Sequence, residues 1–485
     1  MTLLKWMKVH LHTINYLRKP FKEGSLISNY LHILLKWRYD IRALSEGKNE
    51  NHLIFWWLKW GINSYPETNV KLGLTLEAES LIKNKQKIPN INSDTDELFN
   101  IYNNELNKIK TTFKKPTSSP KNKIIIDLIG YPNRSIGLGE DIRLLYQSIN
   151  TSKNFNVLKS TKSKILKECD FRIFCLPAPD IFNFSSIYNL KELTGFNIFS
   201  MPWELSKWPK PLNFILEISD EIWVHSNFVH NSIPEHFHHK VYKYPQPHFI
   251  PPNISSNRPK FKLKKTRKYF LVSFDLASSR SRKNPDAIKQ PFIKIKKQYP
   301  SVGLILKTNN SNNYKKEIQE LKNYFKDVDD VIFITETLEK NELLSLYKSS
   351  DCYISPHRSE GFGRNISEMM LLKTPVIVSN YSGNLDFCFK NNSYLIQGKT
   401  IPVKDGEYIF TESQSWFDPD QKSIYEQMKN FLDSSVDQIN VIKKIAFDTI
   451  NKKYNLDTTK RFVEDRILSI TQESAEHQPP PQSFT

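Results

Sequence analysis

Apolar positions follow two patterns along this chain, and the change falls near residue 120. Before it, apolar residues recur at helical spacing. Leu3, Leu4, Met7, Leu11 and Ile14 share one face, with Lys5, Lys8 and His12 mostly elsewhere. Residues 28–43 and 51–61 are richer in apolar and aromatic side chains (Leu31, Leu34, Trp37, Phe55, Trp56, Trp57, Trp60) and read as helix core rather than as a binding platform. The pattern predicts an α-helical region over 1–115. Residues 111–122, TTFKKPTSSPKN, are rich in Lys, Pro and Ser and read as a linker.

From Lys123 onward, short continuous apolar runs alternate with amphipathic stretches. The runs 123–128, 171–175, 195–199, 221–224, 268–275, 302–306, 331–334, 352–354 and 374–378 read as buried strands. Helices are expected over 141–149, from Asp286, and over 343–348, 365–372, 423–431 and 436–454. Strand–helix alternation of this kind predicts an α/β fold with parallel sheets. Pro245, Pro247, Pro251 and Pro252 mark the end of a first Rossmann-like domain, 123–255, and a second spans 268–470. Residues 471–485 are polar and Pro-rich, a tail expected to be disordered.

Composition narrows the function classes. A chain of 485 residues carries two to four domains. It has no run of eighteen apolar residues, so no transmembrane helix is expected, and its first residues lack a signal-peptide core. Cys169, Cys175, Cys352 and Cys388 form no CxxC pair, which fits a reducing cytoplasm. The formal charge of +18 attracts nucleic acid, anionic membrane surfaces and phosphorylated substrates alike. No nucleic-acid module accompanies it, so nucleic acid is not an expected partner. The densest basic run, 258–268, is either a solvated linker or a surface for anionic lipid. His225, His230, His236, His238, His239 and His248 have no Cys partners nearby, and two are adjacent; no metal site is expected there.

The chemistry concentrates after the strand at 352–354. Residues 359–368, SEGFGRNISE, place Glu360 and Glu368 on either side of a Gly turn and the start of a helix. In open parallel sheets, ligands bind where strands end and helices begin, and unpaired backbone N–H groups there favour anions. Both carboxylates can face one polar ligand. A loop with Gly137 and Gly139 follows the first strand; it either admits a ligand close to the backbone or is a plain tight turn. Arg280, Arg282 and Lys283 stand at another strand-to-helix junction, where cations suit a diphosphate, or they form a solvated basic loop. Lys307 ends a strand and faces either that diphosphate or solvent. Glu204 and Ser226 follow two further strands at the expected cleft.

The run 355–363, SPHRSEGFG, with the Glu-x7-Glu spacing and the trailing 375–384, PVIVSNYSGN, resembles the donor-site motif of retaining glycosyltransferases of family 4. The WEL segment at 203–205 and WVHSNFV at 223–229 resemble a bacterial branch of it. The resemblance covers about 123–470. It implies the GT-B fold, two facing Rossmann-like domains, here preceded by the α-helical region, with a C-terminal helix crossing back to the first domain. It implies Glu368 on the nucleotide ribose, Glu360 near the donor sugar's hydroxyls, and the turn Gly361–Phe362–Gly363 offering amides to the diphosphate. Lys283 matches the family lysine. The family arginine's place is taken by Ser278, so Arg282 or Arg280 is the expected substitute, Arg282 the favoured one, with Lys307 nearby. Gly137 and Gly139 belong beside the donor phosphates and the acceptor. A family histidine near Trp203 is absent, leaving Glu204, with Ser226, as the acceptor contact; a loop-capping role for Glu204 stays open.

The implied activity is metal-independent, retaining transfer of a hexose from a GDP- or UDP-linked donor to a glycan or lipid-linked acceptor. No cofactor is required beyond the nucleotide-sugar co-substrate. Front-face attack, with the leaving phosphate accepting the proton, needs no dedicated base. Cell-surface polysaccharide or lipopolysaccharide synthesis is the expected setting, in the cytoplasm or peripheral on the inner face of the plasma membrane, with an anionic membrane surface as a further partner. The alternative is a non-catalytic glycosyltransferase-like binding protein.

Overall fold

The computed structural model describes residues 16–35, 51–62, 70–89, 91, 94–108, 112–114, 123–161, 164–187, 194–309 and 314–476. The amphipathic helix expected over 1–14, the stretch 36–43 with Trp37, the linker residues 115–122 and the tail from 477 lie outside these.

Two mainly parallel sheets carry the fold. The first is built from β1 (Thr112–Lys114), β2 (Ile124–Gly130), β3 (Phe155–Thr161), β4 (Lys164–Leu166), β5 (Phe171–Cys175), β6 (Phe196–Ser200), β7 (Glu221–Val224) and β8 (Val241–Lys243). Its spatial order is β1-β4-β3-β2-β5-β6-β7-β8, with β4 antiparallel to β3. The second joins β9 (Lys268–Asp275), β10 (Val302–Asn309), β11 (Val331–Ile334), β12 (Cys352–Ser355), β13 (Val376–Ser379) and β14 (Tyr394–Ile396) in the order β11-β10-β9-β12-β13-β14. β5, β7, β12 and β13 are buried along their whole length, which is why they read as largely apolar runs, broken only by buried Arg172 in β5, Glu221 at the start of β7 and a closing serine in β12 and β13. Strand order reverses at β2/β5 and at β9/β12, and at such switch points the loops leaving neighbouring strands diverge and open a crevice.

Several elements differ from the expectation. The start of the presumed linker pairs in parallel with β4 and extends the first sheet. β3 and β8 were not foreseen: β3 alternates polar and apolar residues, and β8 is three residues long inside the histidine-rich stretch. The first-domain helix begins at Gly137, four residues earlier than expected. The last helix, Leu456–Glu476, runs six residues past the boundary placed at 470. It crosses back to the first sheet, where Val463, Ile467 and Ile470 join the core formed by Ile126, Ile173 and Trp223. Arg466 anchors it through a hydrogen bond from Nε to Glu221, 2.8 Å.

The N-terminal helices share a core with the first sheet. Tyr30 stacks on Phe182 with ring centroids 4.8 Å apart, and Trp57 is fully buried beside Tyr30. Among the described residues the aromatic cluster is therefore core, with Phe55 partly buried against it and Trp60 exposed. Buried Glu79 ties the region together: burial would raise its carboxyl, but hydrogen bonds from Lys83, Tyr102 and Arg18 hold it near 2.

A hairpin links the halves. β15 (Gly398–Pro402) and β16 (Ser415–Pro419) leave the second sheet, and Val403, Phe410 and Trp416 enter the apolar core of the first. The Gln414 side chain accepts from Lys207 N at 3.1 Å and donates to Lys207 O at 2.7 Å. The cleft between the sheets is thus bridged by apolar and polar contacts together.

Candidate active site

The loops leaving both switch points face one cavity of about 740 Å³. Its walls include Ser135–Leu138, Glu140, Asp141 and Pro177–Pro179 from the first sheet, and Ala277, Ser278, Arg282, Lys283 and Glu360–Ile366 from the second. Glu360, Glu368, Lys283, Arg282, Gly361, Phe362, Gly363, Gly137 and Glu204 all line it.

The loop after β9 is strained into position. Ser279 has φ +69° and Asn284 is left-handed, φ +53°; a positive φ costs a non-Gly residue, though Asn tolerates it better than most. Side-chain bonds hold both. Ser279 Oγ donates to Glu407 O at 2.8 Å, and Asn284 Nδ2 donates to Pro356 O at 3.1 Å. The result is a short helix, Arg280–Lys283, whose last two side chains turn into the site. Arg282 is buried; Nη1 donates to Ser359 O at 2.8 Å and lies 3.4 Å from Glu360 Oε2, while Nη2 lies 3.9 Å from Glu204 Oε1. Lys283 Nζ donates to Glu360 Oε1.

Glu360 is the electrostatic centre. Burial alone would raise its carboxyl, yet Lys283 and Arg282 outweigh burial and hold it down at about 2. Burial lowers the Lys283 ammonium, and Glu360 opposes that. The turn beneath is pinned from below: Glu360 N donates to Ser382 Oγ at 2.9 Å, and buried His357 contacts Asn384 Oδ1 at 3.0 Å. Gly383 and Gly361 are required by close approach, since a Cβ on Gly383 would sit 2.0 Å from Gly361 O, and one on Gly361 would sit 2.9 Å from Trp203 O. The Phe362 ring packs on His248, Phe387 and Tyr454, so what it offers the cavity is backbone. Gly363, φ +102°, starts the helix Arg364–Leu371. Just over one turn into it, Glu368 Oε1 accepts from Lys340 Nζ at 2.6 Å.

Three expected residues are placed otherwise. Lys307 is buried away from the cavity wall, and its three donors are taken by Thr308 O, Asn309 Oδ1 and Glu336 O at 2.7, 2.5 and 2.9 Å. Burial pulls its ammonium down to about 8. It closes the end of its own sheet and leaves no donor for a diphosphate. Gly139 is small for its own loop: a Cβ there would meet Arg134 O at 2.2 Å. Gly137, by contrast, has open space where a Cβ would point. Ser226 caps the helix Asn227–Ser232 and donates to Gly361 O at 2.6 Å. It is fully buried and joins the two halves, so it makes no acceptor contact.

Other residues of the site carried no local signal in the sequence. Tyr408, from the loop between β15 and β16, donates to Glu204 Oε2 at 2.9 Å, and the Arg282 guanidinium lies 5.6 Å from its ring centre. Arg364 pairs with Asp141 across the cleft, and Gln246 Nε2 donates to Asp141 Oδ1 at 2.8 Å. Among the described residues no group of three or more His, Cys, Asp or Glu could hold a metal ion.

Polar groups are therefore arranged in a chain. Lys283 and Arg282 can neutralise an anion, Glu360 and Glu368 can accept hydroxyls, and the amides of the Gly turn stand between them. Residues 253–405 match the family of glycosyl transferases group 1. The segment holds Lys283, Arg282, Glu360, Glu368 and the start of the hairpin. No curated protein sequence matches the chain. Among solved structures, HepE of Anabaena in complex with UDP and glucose is similar, at 11% identity and TM-score 0.52, over 71% of this chain and 100% of that one. A glycosyltransferase from Rickettsia africae reaches 13% and 0.54 over 72% and 99%. Sucrose-phosphate synthase from Thermosynechococcus elongatus reaches 13% and 0.54 over 72% and 100%. At such identities the likeness is one of fold. The two-sheet architecture is the GT-B fold.

Proposed function

We propose that the protein is a retaining glycosyltransferase of family 4 that moves a hexose from a UDP- or GDP-linked donor to a glycan or lipid-linked acceptor. The observation that supports this most is the convergence of Lys283, Arg282, Glu360 and Glu368 on one cavity at the switch points of both sheets. The HepE complex with UDP and glucose makes UDP the first nucleotide to try.

Breaking the sugar–phosphate bond builds positive charge at the anomeric carbon and negative charge on the leaving diphosphate. Lys283 and Arg282, with the amides of the Gly361–Gly363 turn, neutralise the diphosphate without a metal. Glu368 accepts the ribose hydroxyls, and Glu360 accepts those of the donor sugar. The acceptor sits beside the hydrogen-bonded Glu204–Tyr408 pair, and its hydroxyl proton passes to the leaving phosphate oxygen as the new glycosidic bond forms on the face just vacated. The bridged cleft keeps water from taking the sugar instead. Synthesis of cell-surface polysaccharide, at the inner membrane face, suits the basic charge of the chain. No described helix is long and apolar enough to cross a membrane.

Release of nucleoside diphosphate from UDP-, GDP- and ADP-hexoses tests the class. Proton NMR of the first sugar product from an α-linked donor tests the stereochemistry. The α-anomer is expected; the β-anomer as first product rejects retention.

A further inference from the structure

Lys340 lines the cavity but has no part in the roles above. It is the first residue of the helix Lys340–Ser349, whose start is closed by a reciprocal cap between Glu339 and Glu342. A helix N-terminus carries partial positive charge, so a lysine there stands at the unfavourable end. Its ammonium is held by carboxylates from both halves of the cleft. Nζ lies 2.6 Å from Glu368 Oε1, and 3.5 Å from Oε1 of Glu140, on the first-domain helix Gly137–Ile149. Arg143 fixes Glu140 from the far side at 2.7 Å.

Glu368 is buried, and its Oε2 makes no hydrogen bond among the described residues. That oxygen is open to the cavity and not sealed in the interior, so a ligand hydroxyl that reaches it makes a charge-assisted hydrogen bond. A carboxylate can turn about its last torsion unless one oxygen is tied. Lys340 ties it.

We propose that Lys340 is a positioning residue for nucleotide recognition: held between Glu140 and Glu368, it fixes one oxygen of Glu368 and presents the other to the vicinal diol of a ribonucleotide. This rests on the donor-site reading above. The lysine need not touch the nucleotide, and its contribution appears in discrimination between ribose and deoxyribose. A site built to accept a hydroxyl rejects the analogue that lacks it.

The experiment is calorimetric titration of UDP and GDP, each against its 2′-deoxy form, on wild type, Lys340→Met and Lys340→Arg, with thermal unfolding as the check on folding. Wild type is expected to prefer the ribonucleotide by about 10-fold or more. Lys340→Met is expected to lose most of that preference by weakening the ribonucleotide alone, and Lys340→Arg to regain it. A lysine that merely stabilises the fold would weaken both forms equally, and that result overturns the proposal, as does a wild-type ratio in Lys340→Met. Failure of wild type to bind any nucleotide overturns the donor site itself, and this proposal with it.

Discussion

Glu360→Gln is expected to bind UDP more tightly than wild type while transferring sugar more slowly. In the unliganded site Lys283 and Arg282 are already neutralised by Glu360, at contact distance for the lysine and 3.4 Å for the arginine. The carboxyl is held from its ordinary 4.5 to about 2 in spite of burial. A depression of that size corresponds to about 3 kcal/mol of net attraction to the surrounding cations. An incoming diphosphate competes for those cations. Removing the internal competitor returns between about half and nearly the whole of that attraction, a gain of about 10- to 100-fold in UDP affinity. The lysine adds a second signature. Without Glu360, burial is opposed by less, so the Lys283 pKa falls further, and UDP binding draws a proton onto it. Calorimetry in buffers of different ionisation enthalpy reads affinity and proton uptake together. Turnover falls because glutamine offers the donor sugar's hydroxyls one neutral acceptor oxygen in place of a carboxylate's two charged ones. UDP binding that is unchanged or weaker in a folded Glu360→Gln protein refutes the reasoning.

Two further outcomes follow from the cleft. Phe410 and Trp416 carry the β15–β16 hairpin into the first domain's core, so wild type is expected to keep its radius of gyration in X-ray scattering when UDP is added. Trp416→Ala, which removes packing worth about 3–5 kcal/mol, is expected to expand until UDP closes it; a wild type that contracts on UDP shows the hairpin does not hold the halves. Burial holds His225 down to about 3, and lowers His248 and His357 as well. For a histidine with a depressed folded pKa, the unfolded chain binds the extra proton. The Tm is therefore expected to fall as pH drops below about 6.5, the unfolded histidine pKa, and to go on falling towards the folded values. A Tm flat from pH 7 to 5 contradicts this.

The Glu360–Glu368 spacing, the Gly turn and Lys283 were legible because each lies within one strand-to-helix junction, where sequence order and spatial order coincide. The long apolar runs of β5, β7, β9 and β11 were legible for the same reason, with ends matching to the residue. What escaped depends on contacts between distant segments. β1 is three residues of an otherwise polar stretch, and pairing with β4 makes it a strand. Tyr408 reaches Glu204 from 204 positions away, because a hairpin sequence does not announce which core it enters. Ser226 and Lys307 were misplaced by a shared assumption, that a polar residue at a strand's carboxyl end faces the ligand. Ser226 instead meets a carbonyl of the other domain, and Lys307 satisfies carbonyls of its own sheet. Gly139 shows the matching ambiguity of glycine, which serves its own loop as readily as a ligand.

The central claim is a nucleotide-sugar donor site in the cleft. Titrating UDP, GDP and ADP into wild type and Glu368→Ala tests it most directly. One nucleoside diphosphate is expected to bind wild type and to lose most of its affinity in the variant, which fixes both the site and the base. Binding of none of them to wild type, or equal binding to both proteins, contradicts the account.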